Sequence, residues 1–469
     1  MSKRHSIRRG ALSRGLSLSL AGARAGGAFA LDGALRRLRG EREGDAERLQ
    51  EEADRFARKL GQLKGSYVKI GQVFALLGEH FLPPALTQAL HQLDSQTEPL
   101  PWSSMAPLVQ SALGPANAQR LALEPAAVAA ASLGQVHRAR HPNNGLPLAV
   151  KVQYPDVAAV IDEDFDVVVR MLRLSRWIPA SREFDSWLGT MRDQLHAEID
   201  YCREFTMAQR LRAAFDERDA ASHAQNLPVP IHIPRYYPEF CGDGVLTMDW
   251  VEGHQVDSSV VKALPQALRN DLGRSMLMLF FREVFDLGLM QVDPNFGNFL
   301  IDAEGRSLSL LDFGSVLELD AALQGALADA IIAGHTGDDG LLQDALVRLG
   351  CLRTDSSDYA KETFRGFVRH LLEPLRHPDD LPRHYLGTSG EYSWGRSELL
   401  SRAGRQAAGS MTSRHFNLPS GDFALIARKL TGVFTFIAVL EAEFNAWEIV
   451  APYIDRREHS GSSLKGVRP

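Results

Sequence analysis

Between Asp45 and His80, apolar residues recur at Phe56, Leu60, Leu63, Tyr67, Ile70, Phe74 and Leu77, in alternating steps of four and three. That spacing returns each side chain to the same face, so the stretch is predicted to be one amphipathic helix whose stripe is mostly core. Off the stripe, Lys69 and Gln72 flank Gly71. A Gly inside a helix costs about 1 kcal/mol relative to Ala, so it marks close backbone approach or a break. Pro83-Pro84 is expected to end this helix, and Pro99–Pro107 to be a linker into the next domain.

From Leu121 to Gln153 the pattern shortens to that of strands. Gln135–Ala139 and the apolar Leu148-Ala149-Val150-Lys151-Val152 flank Pro142-Asn143-Asn144-Gly145, a hairpin turn signal. Lys151 lies inside a strand of buried character, where an ammonium is costly unless it meets an anion, although an edge-strand Lys facing solvent fits equally well. Two helical stretches follow, about Asp156–Trp177 and Asp185–Phe215. In the second, Asp200 and Glu204 fall on one face at i, i+4, and Glu198 on another; a solvated acidic face is the simpler reading of these residues alone. Gly244–Gly253 reads as a strand leaving into a turn. Beyond Val256 the pattern is mostly helical, apart from Asp293–Asp312 and a polar stretch near Pro378–Arg396.

Composition narrows the classes. At 469 residues the chain has room for two or three domains. Its 52 basic and 58 acidic residues give a net charge of −6, which argues against a general nucleic-acid binder. Cys202, Cys241 and Cys351 are scattered and odd in number, as expected of a reducing compartment. No run of eighteen apolar residues occurs, so no membrane-spanning helix is predicted; Ser275–Phe281 and Leu430–Leu440 have the length of buried core helices. Residues 1–43 differ, with ten Lys or Arg against three acids, a local charge of +7. A disordered basic tail, an amphipathic segment on an anionic membrane surface and an organellar transit peptide are all open readings. Gly22 and Gly26 would let two helices approach closely, which raises a homodimer.

The chemistry concentrates in Asp293-Pro294-Asn295-Phe296-Gly297-Asn298 and, after an apolar strand, Asp312-Phe313-Gly314. Each piece alone is an ordinary turn. In that order they make the acidic half of a kinase-like phosphoryl-transfer site: Asn298 and Asp312 offer hard oxygens to Mg²⁺, and Asp293 a carboxylate to orient or deprotonate an attacking hydroxyl.

Taken together, Lys69-Ile70-Gly71-Gln72, Ala129-Ala130-Ala131-Ser132, Ala149-Val150-Lys151, Glu198-Ile199-Asp200, Asp293–Asn298 and Asp312-Phe313-Gly314 resemble the UbiB/AarF (ADCK/Coq8-like) family of atypical kinases, over nearly the whole chain. The resemblance implies an α+β, two-lobed protein-kinase-like fold with a helical N-terminal extension and a mostly helical C-lobe. The expected divisions are a basic segment over 1–44, a helical extension over 45–110, an N-lobe with inserted helices over 111–253 and a C-lobe over 254–469.

By the same resemblance Lys151 would bind ATP phosphates, Glu204 would be its ion-pair partner, and Met248 and Trp250 would lie on the hinge that grips adenine. Asn298 and Asp312 would hold Mg²⁺, and Asp293 would be the catalytic aspartate. Lys69, Gly71 and Gln72 would gate the site where a protein substrate would otherwise dock, facing the acidic pair Glu198 and Asp200. Ala129–Ser132 replaces a Gly-rich phosphate loop, so it lacks the backbone freedom with which Gly closes over phosphates. The chain also departs from the family: the usual His-Ala-Asp-Pro-His-Pro-Gly-Asn reads Gln291-Val292-Asp293-Pro294-Asn295-Phe296-Gly297-Asn298.

The expected function is that of an ATP- and Mg²⁺-dependent atypical kinase or ATPase supporting ubiquinone or isoprenoid-lipid biosynthesis, in the cytoplasm and peripheral to the inner membrane. Its expected partners are ATP, anionic membrane and isoprenoid lipids or the enzymes that make them. The rival is a pseudokinase scaffold that binds nucleotide without turnover.

Overall fold

The computed structural model describes residues 45–63, 66–78, 82, 84–93, 99–130, 133–174, 177–178, 182–221, 227–403 and 421–455. The basic segment 1–44, with its membrane, transit-peptide and homodimer readings, lies outside them. Along the chain the main elements are α1 (Asp45–Leu63), α2 (Ser66–Gly78), α3 (Pro84–His91), α4 (Trp102–Arg120), β1 (Ala127–Ala130), β2 (Gly134–Arg140) and β3 (Pro147–Gln153). Next come α5 (Val157–Leu174), α6 (Arg182–Ile199), α7 (Tyr201–Ala221), β4 (Ile231–His232), β5 (Val245–Asp249) and α8 (Gln266–Arg282). The last are β6 (Leu289–Gln291), β7 (Phe299–Ile301), β8 (Leu308–Leu310), β9 (Val316–Glu318), α9 (Ala321–Thr336), α10 (Asp339–Arg348), α11 (Asp358–Leu371) and α12 (Gly421–Val439). They form two compact units, one reaching to Phe205 and including Tyr236–Trp250, the other made of Thr206–Arg235 and the chain from Val251. A sheet-bearing unit and a mostly helical one match the α+β kinase-like organisation expected.

In the first unit an antiparallel sheet runs in the order β1-β2-β3-β5. Leu148, Val150 and Val152 alternate along β3 and are fully buried, as the two-residue period of a strand requires. They pack on Met105, Val109 and Leu113 of α4, which share one helix face at four-residue spacing. The expected linker Pro99–Pro107 is therefore wrong from Trp102 onward. Pro101 only precedes the helix, where its missing N–H costs nothing, and burial of the apolar face outweighs the propensity cost of Pro107. The residues just before are tied down as well: the Gln135 side-chain oxygen accepts from Leu100 N at 2.8 Å, and its amide donates to Leu100 O at 3.2 Å.

The helices of this unit form a second core. Phe74 of α2 stacks on Phe165 of α5, with ring centroids 5.7 Å apart, and meets Trp187 of α6 edge-on at 6.2 Å. The single helix expected over 45–80 is two helices, α1 and α2, which share the predicted stripe: Leu60, Tyr67, Ile70 and Phe74 are buried. The helix expected over 185–215 also divides. Asp200 lies between α6 and α7, and its Oδ1 accepts from Arg203 N at 2.9 Å, an N-cap contact that starts α7 afresh. Asp200 is thus exposed at a helix start and does not share a continuous helical face with Glu204.

In the second unit α8 packs on α12, the two apolar stretches read as core helices. α8 runs into a π-helical turn, Glu283–Leu287, closed by Gly288 at φ +63, a left-handed residue that turns the chain into β6. β6 pairs antiparallel with β9, and β8 joins antiparallel β7 to parallel β4. Among the described residues no helix is long and apolar enough to cross a membrane.

Candidate active site

Two hydrogen bonds between short strands place the acidic residues of the second unit. The β6–β9 register sets Gln291 opposite Val316, and beyond it Val292 N donates to Ser315 O at 2.8 Å. The β7–β8 register sets Phe299 opposite Leu310, and Leu311 N donates to Asn298 O at 3.0 Å. Asp293, Asn298 and Asp312 therefore all sit at ends of these strands, where side chains leave the core. Asn295 Oδ1 accepts from Gly297 N at 2.8 Å and so builds the tight turn between Asp293 and Asn298.

Within that turn the Asn298 amide donates to Asp293 Oδ2 at 2.8 Å. The NH₂ end of Asn298 is thus spent on the carboxylate, which leaves its carbonyl oxygen as the end able to meet a cation. Asp312 Oδ1 accepts from Gly314 N at 3.0 Å, while Phe313 is fully buried and anchors the Asp-Phe-Gly turn. Among the described residues no group of three or more His, Cys, Asp or Glu is placed so that it could hold a metal ion. The Asn298 amide oxygen and the Asp312 carboxylate are hard oxygen donors of the kind that fits Mg²⁺, which takes few protein ligands and keeps phosphate oxygens and waters.

Asp293 has a further partner that sequence reasoning missed. Arg428, on α12, donates from Nη2 to Asp293 Oδ1 at 2.7 Å, with both side chains largely shielded. Next to it Lys429 is wholly buried and paired with Glu283 at 3.1 Å, itself only 1% exposed. Lys429 also donates to Gln291 Oε1 at 3.2 Å, and Gln291 Nε2 donates to Asp293 O at 2.8 Å. Burial pushes the Glu283 carboxyl up, while the Lys429 charge opposes the rise. Gln291, which stands where the family usually has His, is therefore a link between a buried ion pair and the Asp293 backbone. A signal for this network does exist in the sequence: charged residues interrupt two apolar stretches, at Arg282-Glu283 and at Arg428-Lys429.

The first unit holds Lys69 and Lys151. Lys151 on β3 pairs with Glu204 of α7, Nζ lying 2.9 Å from Oε2 and 3.2 Å from Oε1. Glu204 is 1% exposed, so the ammonium offsets a carboxylate taken out of water. Lys151 Nζ also stands 5.0 Å from the centre of the Tyr201 ring. Lys69 of α2 forms an ion pair with Glu198 of α6. Gln72 donates to Leu93 O at 3.3 Å. Gly71 lets Leu93 approach so closely that an added Cβ would lie 2.3 Å from its Cδ1, the close approach foreseen for a mid-helix Gly.

Ala129 and Ala130 end β1, and Ala131 and Ser132 lie outside the described residues. Gly134 follows, its Cα so near β3 that a Cβ would stand 2.7 Å from Val152 O. Met248 lies on β5, opposite Ala149 and bridged to Tyr236. Trp250 N is already committed to Pro147 O at 3.0 Å, and its indole faces the Arg138 guanidinium at 4.4 Å.

Comparison with known proteins bears on this arrangement. The sequence profile described as the ABC1 atypical kinase-like domain matches residues 92–345. The chain is 25% identical over 398 residues to the probable serine/threonine-protein kinase abkA of Dictyostelium discoideum, covering 84% of this chain and 69% of that protein. It is 27% identical over 394 residues to the mitochondrial atypical kinase COQ8 of Schizosaccharomyces pombe, covering 83% of this chain and 60% of the relative. With the mitochondrial atypical kinase COQ8B of Rattus norvegicus it shares 29% identity over 396 residues, again 83% of this chain, and 69% of the relative. Among solved structures, the Rv3197–erythromycin complex from Mycobacterium tuberculosis superposes with a TM-score of 0.56 at 22% identity, over 86% of this chain and 96% of that one. At that identity the likeness is one of fold.

Proposed function

Because this chain belongs to the family of ABC1 atypical kinase-like proteins, we propose that it is an ATP- and Mg²⁺-dependent atypical kinase or ATPase of the UbiB type that supports ubiquinone or isoprenoid-lipid biosynthesis. The observation that carries this reading is the Asn298–Asp293 hydrogen bond of 2.8 Å inside a tight turn at the ends of β6 and β7. It holds a carboxylate and an amide oxygen in the order that phosphoryl transfer uses.

In this reading Lys151 binds the ATP phosphates, and Glu204 keeps its ammonium in place. Asn298 and Asp312 hold Mg²⁺, which when bound neutralises charge on the phosphate oxygens. Asp293 accepts a hydrogen bond from the attacking hydroxyl or water and aims it, its own orientation fixed by Asn298 and Arg428. Met248 and Trp250 flank the adenine. The acceptor is water or a small lipid-like molecule. Lys69, tied to Glu198, belongs to a gating motif with Gly71, Gln72 and Asp200 that disfavours protein substrates. The Ala129-Ala130-Ala131-Ser132 sequence, in place of a Gly-rich one, further sets phosphate positioning apart from that of Gly-loop kinases. The basic segment 1–43 brings the chain to an anionic membrane surface on the cytoplasmic side, where a homodimer is compatible with Gly22 and Gly26.

A second reading, a nucleotide-binding scaffold without turnover, draws on one feature: both Asp293 oxygens already have protein partners. Phosphate release from Mg-ATP, with and without anionic liposomes, separates the two. Turnover in the wild-type chain that disappears in Asp312→Asn supports the enzyme; tight nucleotide binding with no release in either protein leaves the scaffold.

A further inference from the structure

Three contacts of α12 converge on Gln291, Asp293 and Pro294, within one four-residue stretch of the second unit. Arg428 holds the Asp293 carboxylate, Lys429 holds Gln291, and Gly432 lies so close to Pro294 that a Cβ there would stand 2.0 Å from the Pro294 Cβ. Arg428 and Gly432 are four residues apart and so share a face of the helix. Lys429 is locked by Glu283 with both groups out of water, which fixes the rotation of α12 and with it the position of Arg428. In the protein-kinase signature H-R-D-L-x-x-x-N an Arg immediately precedes the catalytic Asp. Here that place is taken by Val292, which is buried and apolar, and a guanidinium arrives instead from a residue 135 positions along the chain.

From this geometry we infer that Arg428 is a positioning residue for the reaction, the group that sets the orientation of the Asp293 carboxylate toward the attacking oxygen. The inference rests on the enzymatic reading above. A carboxylate has two oxygens and a free rotation about its Cβ–Cγ bond. Asn298 fixes Oδ2 from the same turn, and Arg428 fixes Oδ1 from a separate, rigid element. With both held, the carboxylate keeps one plane, and the lone pairs left over point in one set of directions. Removing the guanidinium frees the rotation while the turn that carries Asp293 remains, because Gln291 and Val292 hold its backbone independently. The expected signature is a loss in kcat with nucleotide binding preserved.

The experiment measures steady-state phosphate release from Mg-ATP by the full chain as wild type, Arg428→Ala and Arg428→Lys, with guanidinium ion added at concentrations too low to unfold the protein. Arg428→Ala is expected to lose about 100-fold in kcat while KM for ATP stays within about threefold. Arg428→Lys restores part of the loss, and added guanidinium restores part of it in Arg428→Ala but leaves wild type unchanged. If Arg428→Ala does not fold, Arg428→Met keeps the stem without the donors and carries the same expectation. A folded variant with kcat within about threefold of wild type overturns the inference, as does a kcat loss with an equal change in KM and no rescue. A wild-type chain without turnover overturns the enzymatic reading and the inference with it, whereas wild-type turnover untouched by Arg428→Ala overturns the inference alone.

Discussion

Lys69 on α2 is ion-paired with Glu198 on α6, so two motifs far apart in the chain make one feature of the first unit. Both side chains keep less than a fifth of their surface in solvent, which places the pair between an exposed salt bridge and a buried one. Lys69→Ala and Glu198→Ala are each expected to lower stability, and the double variant to lose less than the sum. The coupling should be about 1 kcal/mol. Urea midpoints of the four proteins measure it. Additive losses would show that the pair is incidental to the packing of α2 on α6.

Lys151 and Glu204 form another ion pair of that unit, with Glu204 almost wholly buried and Lys151 partly in solvent. Glu204→Ala leaves the ammonium without this carboxylate but not without water, so the loss should fall below that for a fully buried pair, at about 2 kcal/mol. ATP affinity should drop at least about tenfold, because Lys151 then loses the carboxylate that directs its ammonium. Denaturant unfolding and a fluorescent-nucleotide titration check the two effects. Wild-type affinity in a folded Glu204→Ala protein would remove Lys151 from nucleotide binding.

Burial raises the Glu283 carboxyl above its ordinary value of 4.5, and the Lys429 charge opposes the rise. An acid raised in this way binds its proton more readily in the folded protein. Its contribution to stability is therefore intact below about 4.5 and is lost as pH climbs through the folded value. Lys429→Met removes the opposing charge and raises the carboxyl further. The variant should be about 3 kcal/mol less stable than wild type at pH 8, with part of that deficit recovered at pH 5. Urea midpoints at the two pH values test this. A deficit equal at both, or larger at pH 5, would contradict the buried-pair account.

Gly432→Ala places a methyl group into the Pro294 ring, which has no flexible end to move aside. Ala is the better helix former by about 1 kcal/mol, yet the overlap should outweigh that gain and leave the protein about 1 to 3 kcal/mol less stable. Phosphate release should fall as well, because the displaced ring adjoins Asp293. A thermal melt and a kinetic assay of the variant check both. A more stable protein with unchanged turnover would show that α12 and Pro294 are not in firm contact.

Much of this architecture was legible because it is local. The four-three spacing marked the stripe shared by α1 and α2, and Pro142–Gly145 marked the β2–β3 turn, where His141 N donates to Leu146 O at 2.9 Å. The turn from Asp293 to Asn298 spans six residues and is written in its own Asn and Gly positions. Other features depended on distant chain. Pro107 argued for a linker until the sheet offered a surface on which Met105, Val109 and Leu113 could be buried. Asp200 looked like part of a helical face because its sequence does not distinguish a helix interior from a cap between two helices. Arg428 carried no local mark of its partner: only the fold brings it to Asp293, although two adjacent cations in an apolar helix do signal buried anions nearby.

The central claim, that this chain holds ATP through Mg²⁺ on Asn298 and Asp312, is tested most directly by calorimetric titration of ATP with and without Mg²⁺, in wild type and in Asp312→Asn. Mg²⁺ is expected to tighten ATP binding to wild type by at least about tenfold, or 1.4 kcal/mol, and Asp312→Asn to abolish this gain. Equal ATP affinity in wild type with and without Mg²⁺, or a gain that survives Asp312→Asn undiminished, would contradict it.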